Sequence, residues 1–153
     1  MLICEKYQEE NFQCIILKHD KMGHLCGYVG ISDGHPFFGK NYNQCLNGCE
    51  GEENPSIFSE RTFKNYPCLW KENHNSIEKL IDVHGGITYS DSCLPNENLD
   101  NVWWIGFDCA HLGDLVPKME EIFPSNPGDV EYRDENYVRN EISNLVKQLK
   151  EQR

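Results

Sequence analysis

The sequence predicts an α+β fold, a mostly antiparallel sheet packed against one long C-terminal helix. Three observations carry that expectation. Val138, Ile142, Leu145 and Leu149 recur at helical spacing near the end of the chain, and Tyr137 and Val146 widen the stripe. Residues 13–18 and 25–31 are short apolar runs rich in β-branched side chains, joined by the turn Lys21-Met22-Gly23-His24. They read as an antiparallel hairpin. Residues 102–107 are the most apolar run of all, which places them centrally in the sheet.

The elements follow in order. Gly27 and Gly30 interrupt the second strand, where a missing side chain marks a bulge or a close approach by a ring or backbone. Ser32-Asp33-Gly34-His35-Pro36 is a turn by composition, and Pro36 holds His35 extended beside Phe37 and Phe38. Residues 41–75 are the least regular part and are expected to form a long surface loop, a common form for lids and binding loops. Asn75 and Glu78 have the character of a capping box. Ile77, Leu80 and Ile81 give the helix after it one apolar face, and it should end near Val83, before Gly85-Gly86. A strand resumes over 86–90. A short helix is expected over 118–123, among Pro117, Pro124, Pro127 and Gly128. Asp134 caps the final helix, over about 134–151.

With 153 residues the chain is expected to be one domain, long enough to fold without a metal or disulfide. Its 14 basic against 25 acidic residues give a net charge of −11, which repels nucleic-acid backbones and anionic membranes at long range. Long nucleic acids are therefore not the expected partner, while a small ligand in a local pocket remains compatible. No run of 18 apolar residues and no apolar leader after Met1 is present. The expected location is the cytoplasm, with the eight cysteines reduced.

Chemistry-bearing residues concentrate in two blocks. In His84-Gly85-Gly86-Ile87-Thr88, the glycines let the backbone approach a ligand and offer N–H groups to an anion. In Trp104-Ile105-Gly106-Phe107-Asp108-Cys109-Ala110-His111-Leu112-Gly113-Asp114, polar groups emerge where an apolar strand ends. If a helical turn begins there, Asp108 and His111 become neighbours. Three readings compete. His84, Cys109 and His111 are zinc-type ligands, although no H-E-x-x-H or paired C-x-x-C accompanies them. Cys109 with His84 or His111 could form a thiol nucleophile and base. The third reading is a binding pocket without chemistry or cofactor. There a ring stacks on Tyr28, Trp104 or Phe107, and Asp108, His84 and Thr88 hydrogen-bond to it. His35, Asp114 and Arg133 are expected to join this pocket, with Arg133 as a phosphate or carboxylate clamp. A second copy of the chain could complete it.

These same motifs, with Cys26-Gly27-Tyr28-Val29, Gly34-His35-Pro36 and Tyr132-Arg133-Asp134, resemble a family of small phage-encoded proteins of unknown function. The likeness runs from about residue 16 to the C-terminus, outside 41–75. The resemblance brings no established activity with it. Small phage proteins of this kind often counter host defence, some by sequestering a nucleotide messenger such as a cyclic ADP-ribose derivative without cleaving it. By analogy the expected function is such a sponge in the host cytoplasm. The alternative is a zinc-dependent or Cys/His hydrolase acting on a small molecule.

Overall fold

The computed structural model describes residues 1–46, 75–95, 97 and 99–152. Strands β1 (Leu2–Glu9), β2 (Phe12–Lys18), β3 (Leu25–Ile31), β4 (Tyr89–Asp91) and β5 (Trp103–Asp108) form a five-stranded sheet in the order β1-β2-β3-β5-β4. Every neighbouring pair is antiparallel. The helices are α1 (Ile77–Leu80), α2 (Pro117–Ile122) and α3 (Glu135–Glu151). The architecture is α+β, as the apolar periodicities predict.

Alternation along the strands divides the side chains between two layers. On one face, Cys14, Ile16, Val29, Ile105 and Phe107 meet the α3 stripe of Val138, Ile142, Leu145, Val146 and Leu149, all buried. On the other, Ile15, Leu17, Cys26, Tyr28 and Trp104 pack with Leu94. With both faces covered, all seven residues of β3 are buried, so its sequence is continuously apolar or small. Two glycines make room for rings. A Cβ on Gly27 would lie 2.6 Å from Phe107 Cζ, and one on Gly106 would lie 2.3 Å from Tyr28 Cδ1. At the start of α3 the Asp134 carboxylate accepts from the Tyr137 amide at 2.9 Å, the expected cap.

Several details differ from expectation. β1 is not legible in the sequence because it is an edge strand with no buried residue. Its polar side chains find distant partners, as in the Lys6–Glu97 bond at 2.8 Å and the Arg139–Glu5 pair. β5 is interior as expected, paired with β3 and β4, while β3 is the middle strand because β1 adds a second strand on the β2 side. β4 begins at Tyr89 rather than 86, since Gly85 and Gly86 turn the backbone with φ of +68° and +81°. α1 is a single turn capped by Ser76 without a side-chain bond, so the Asn75–Glu78 box does not form. It stops at Leu80 because Ile81 is already extended. Cys45 is disulfide-bonded, against the expectation of uniformly reduced thiols, while Cys4, Cys14, Cys26, Cys93 and Cys109 are free. The loop expected over 41–75 lies, for residues 47–74, outside the described residues. Among the described residues no helix is long and apolar enough to cross a membrane.

Candidate functional site

The chemistry-bearing residues gather at the sheet corner where β5 ends, around the carboxylate of Asp114. After β5 the Cys109 amide still donates to the Leu25 carbonyl at 3.0 Å, which keeps this residue in the core. The chain then turns. The Asp114 amide donates to the His111 carbonyl at 2.9 Å, and Asp114 Oδ2 accepts from the His111 amide at 3.0 Å. This double closure points the carboxylate inward, where its side chain is 0% exposed.

Two further donors reach it. His84 Nε2 lies 2.7 Å from Oδ2, and Arg133 Nε donates to Oδ1 at 3.0 Å. The remaining His84 nitrogen, Nδ1, lies 2.7 Å from the Tyr137 hydroxyl. A carboxylate only accepts, so Nε2 carries the proton, and in the neutral ring Nδ1 accepts a hydrogen bond from the Tyr137 hydroxyl. The Arg133 guanidinium lies 4.8 Å over the Tyr137 ring and donates from Nη1 to Glu131 at 2.9 Å. Asp114, His84, Tyr137 and Arg133 thus form a closed ring of contacts. Burial alone would raise the Asp114 carboxyl, but the bonds from His84, the His111 amide and Arg133 outweigh it and hold the group below its ordinary value.

A second imidazole–carboxylate pair stands beside the first. The His84 and His111 rings are 6.1 Å apart. The His111 ring lies on Gly85, where a Cβ would come within 2.1 Å of its Cδ2; together with φ of +68°, this makes glycine the residue that fits. His111 Nε2 is 3.1 Å from Asp108 Oδ1, an ion-pair distance without hydrogen-bond geometry. Asp108 also accepts from Thr88 Oγ1 and from the Ala110 amide, each at 3.0 Å.

No family model matches the chain, and neither does any curated protein or solved structure.

The structure brings together His84, Gly85, Thr88, Asp108, His111, Asp114 and Arg133. It keeps the other candidates apart. Trp104 and Phe107 are 0% and 1% exposed and Tyr28 is buried, so all three rings belong to the core and present no stacking face. His35 sits at the far end of α3. Its Nε2 is 2.7 Å from the Leu149 carbonyl, and its Nδ1 accepts from the Phe37 amide at 3.0 Å, so it secures the helix C-terminus. The Gly86 amide donates to the Val83 carbonyl at 2.9 Å and is not offered to an anion. Burial, with the Asp114 charge next, pushes the Cys109 thiol up to about 12, so it is protonated near neutral pH and points into the core. The set His84, Cys109 and His111 does not converge. Among the described residues no group of three or more His, Cys, Asp or Glu side chains could hold a metal ion.

Tyr137 and Glu131 were not anticipated as site residues. Tyr137 reads in sequence as part of the apolar stripe, and its hydroxyl, at the wet end of the helix, was the available signal. A separate groove of about 810 Å³, lined by Glu9, Ser143, Lys147 and Lys150 among others, runs along the other half of α3 and shares none of these residues.

Proposed function

We propose that this corner binds a small nucleotide-derived molecule and holds it intact, acting as a sponge for a signal such as a cyclic ADP-ribose derivative or cyclic nucleotide. The observation that carries the reading is the convergence of His84, His111 and Arg133, from three distant segments, on one buried carboxylate. Hydrogen bonds to Asp114 fix the His84 imidazole, the Arg133 guanidinium and the backbone at His111 before any ligand arrives, which lowers the ordering cost of binding. His111 and Arg133 keep 33% and 22% of their side chains exposed, so a ligand can reach the guanidinium and the outer edge of the imidazole, whose Nε2 is itself buried. Asp108 and Glu131 stand ready to accept from ribose hydroxyls or a base amine. The protonated, buried Cys109 leaves the thiol mechanism without its nucleophile, which favours holding over cleaving. Stacking on Tyr28, Trp104 and Phe107 forms no part of this proposal.

The test is incubation with a panel of cyclic nucleotides and ADP-ribose derivatives, followed by heat release. Recovery of a ligand unchanged, with uptake lost in His111→Ala and Arg133→Ala, is the expected result. A processed ligand would replace the sponge with an enzyme. One zinc per chain by elemental analysis, lost in His84→Ala, would favour the zinc-dependent hydrolase. Failure of every ligand to bind would remove both readings.

A further inference from the structure

The stretch from Leu112 to Tyr132, just beyond the corner, turns its apolar side chains outward. Eight large hydrophobic residues are exposed among the described residues, and five of them (Leu112, Met119, Ile122, Phe123 and Tyr132) come from this stretch. Within it only Asp114 is buried, and α2 has no buried residue. The contrast with α3 is direct, since there an apolar stripe of similar spacing is fully covered by the sheet.

A six-residue helix cannot sustain itself on its own hydrogen bonds. Backbone anchors hold α2 instead. The Lys118 amide donates to the Met22 carbonyl at 3.1 Å, and Pro117 seats against Gly23, where a Cβ would lie 3.0 Å from Pro117 Cγ. Past its end the Ser125 amide donates to Glu120 at 2.8 Å. Held this way, α2 and its C-cap present Met119, Ile122 and Phe123 at i, i+3 and i+4, one stripe left exposed among the described residues. Phe123 is 70% exposed and Ile122 53%. Rigid presentation of such a stripe marks an interaction surface.

We infer that α2 is a docking helix for another protein, engaging a segment that carries apolar side chains flanked by lysine or arginine. Charge selects this occupant. Glu120 and Glu121 lie on α2 itself and Asp129 and Glu131 follow in the same stretch, against two cations, Lys118 paired with Glu121 at 3.3 Å and Arg133 paired with Glu131 at 2.9 Å, so the stretch keeps an acidic excess. An acidic rim repels anionic lipid and a second copy of the same surface, and it attracts a basic one. Three anchors at i, i+3 and i+4 with a charged border is the arrangement by which short helices seat on an apolar surface.

The probe is a synthetic 18-residue peptide of leucine and lysine at helical spacing, with a glutamate-for-lysine version as control, followed by fluorescence anisotropy. The lysine peptide is expected to bind the full chain and the glutamate peptide not to bind. The double variant Ile122→Ser/Phe123→Ser should weaken binding by roughly tenfold or more. Because neither residue is buried, that variant should keep the parental melting temperature, so lost binding would not reflect lost folding. Equal binding by the double variant would reduce the effect to non-specific charge and overturn the proposal, as would binding of the glutamate peptide or no binding at all. A dimer in sedimentation that the double variant converts to monomer would instead assign the stripe to a second copy. Ligand uptake at the corner should not change in this variant, so failure here and failure of the sponge reading are separately visible.

Discussion

Replacing Asp114 with alanine tests the organisation of the corner. The substitution removes the acceptor of three donors at once: His84 Nε2, the His111 amide and Arg133 Nε. A buried donor left without a partner costs about 1–3 kcal/mol. The three costs do not add in full, because the Arg133 side chain is partly exposed and can turn to water. The expected loss is about 3–5 kcal/mol, the range for breaking a buried ion pair from one side. Against a domain stability of roughly 5–15 kcal/mol this is a large fraction. Asp114→Asn keeps one acceptor oxygen and should cost less, about 1–3 kcal/mol. The assay is urea unfolding followed by tryptophan fluorescence, which the fully buried Trp104 reports. The pH dependence has a definite sign. The folded Asp114 carboxyl lies below its unfolded value, so its stabilisation is complete above about pH 4 and is lost as pH falls through the lowered folded value. Parent and Asp114→Asn should therefore converge under acid. An alanine variant within about 1 kcal/mol of the parent at pH 7, or a gap that does not shrink on acidification, would refute this account of the corner.

Three further outcomes are expected. Burial lowers the His35 pKa despite the Leu149 carbonyl bond, so its contribution is complete above about pH 6.5 and declines as pH falls below it. Urea midpoints between pH 7 and pH 5 should therefore fall less steeply in His35→Gln than in the parent, and equal slopes would contradict the clasp. Leu145→Asp places an unpaired charge at a position that is 0% exposed and should cost about 3–5 kcal/mol; an unchanged melting temperature would mean α3 does not pack as described. Iodoacetamide with mass spectrometry should modify the exposed Cys93 well before the buried, protonated Cys109. Equal rates would reopen the thiol mechanism.

The parts of the fold legible in sequence are those that bury an unbroken apolar run or a helical apolar stripe. The α3 stripe is of the second kind, and the β2–β3 hairpin and β5 are of the first. β1 stayed hidden because an edge strand half in water carries Glu5, Lys6 and Glu9 beside Ile3 and Tyr7, a mixture that strands and loops share. At the site, residue chemistry and spacing located the two blocks that meet, and the i, i+3 relation of Asp108 and His111 was readable directly. Whether an aromatic faces a ligand or the core depends on which sheet face it takes and what covers that face. Composition carries neither, and Trp104, Phe107 and Tyr28 were misread for that reason. His35 was misread because its partner, the Leu149 carbonyl, lies 114 residues away. Tyr137 was overlooked because a tyrosine at a helical apolar position looks like packing until the imidazole beside it is known.

The most direct test of the central claim is to titrate the nucleotide panel while following the imidazole ring resonances of the chain's six histidines by NMR. One class of ligand is expected to shift the rings of His84 and His111 together and leave His35 unmoved, and Arg133→Ala is expected to weaken the effect. Ligands that move none of these rings, or that move His35 while His84 and His111 stay still, would contradict it.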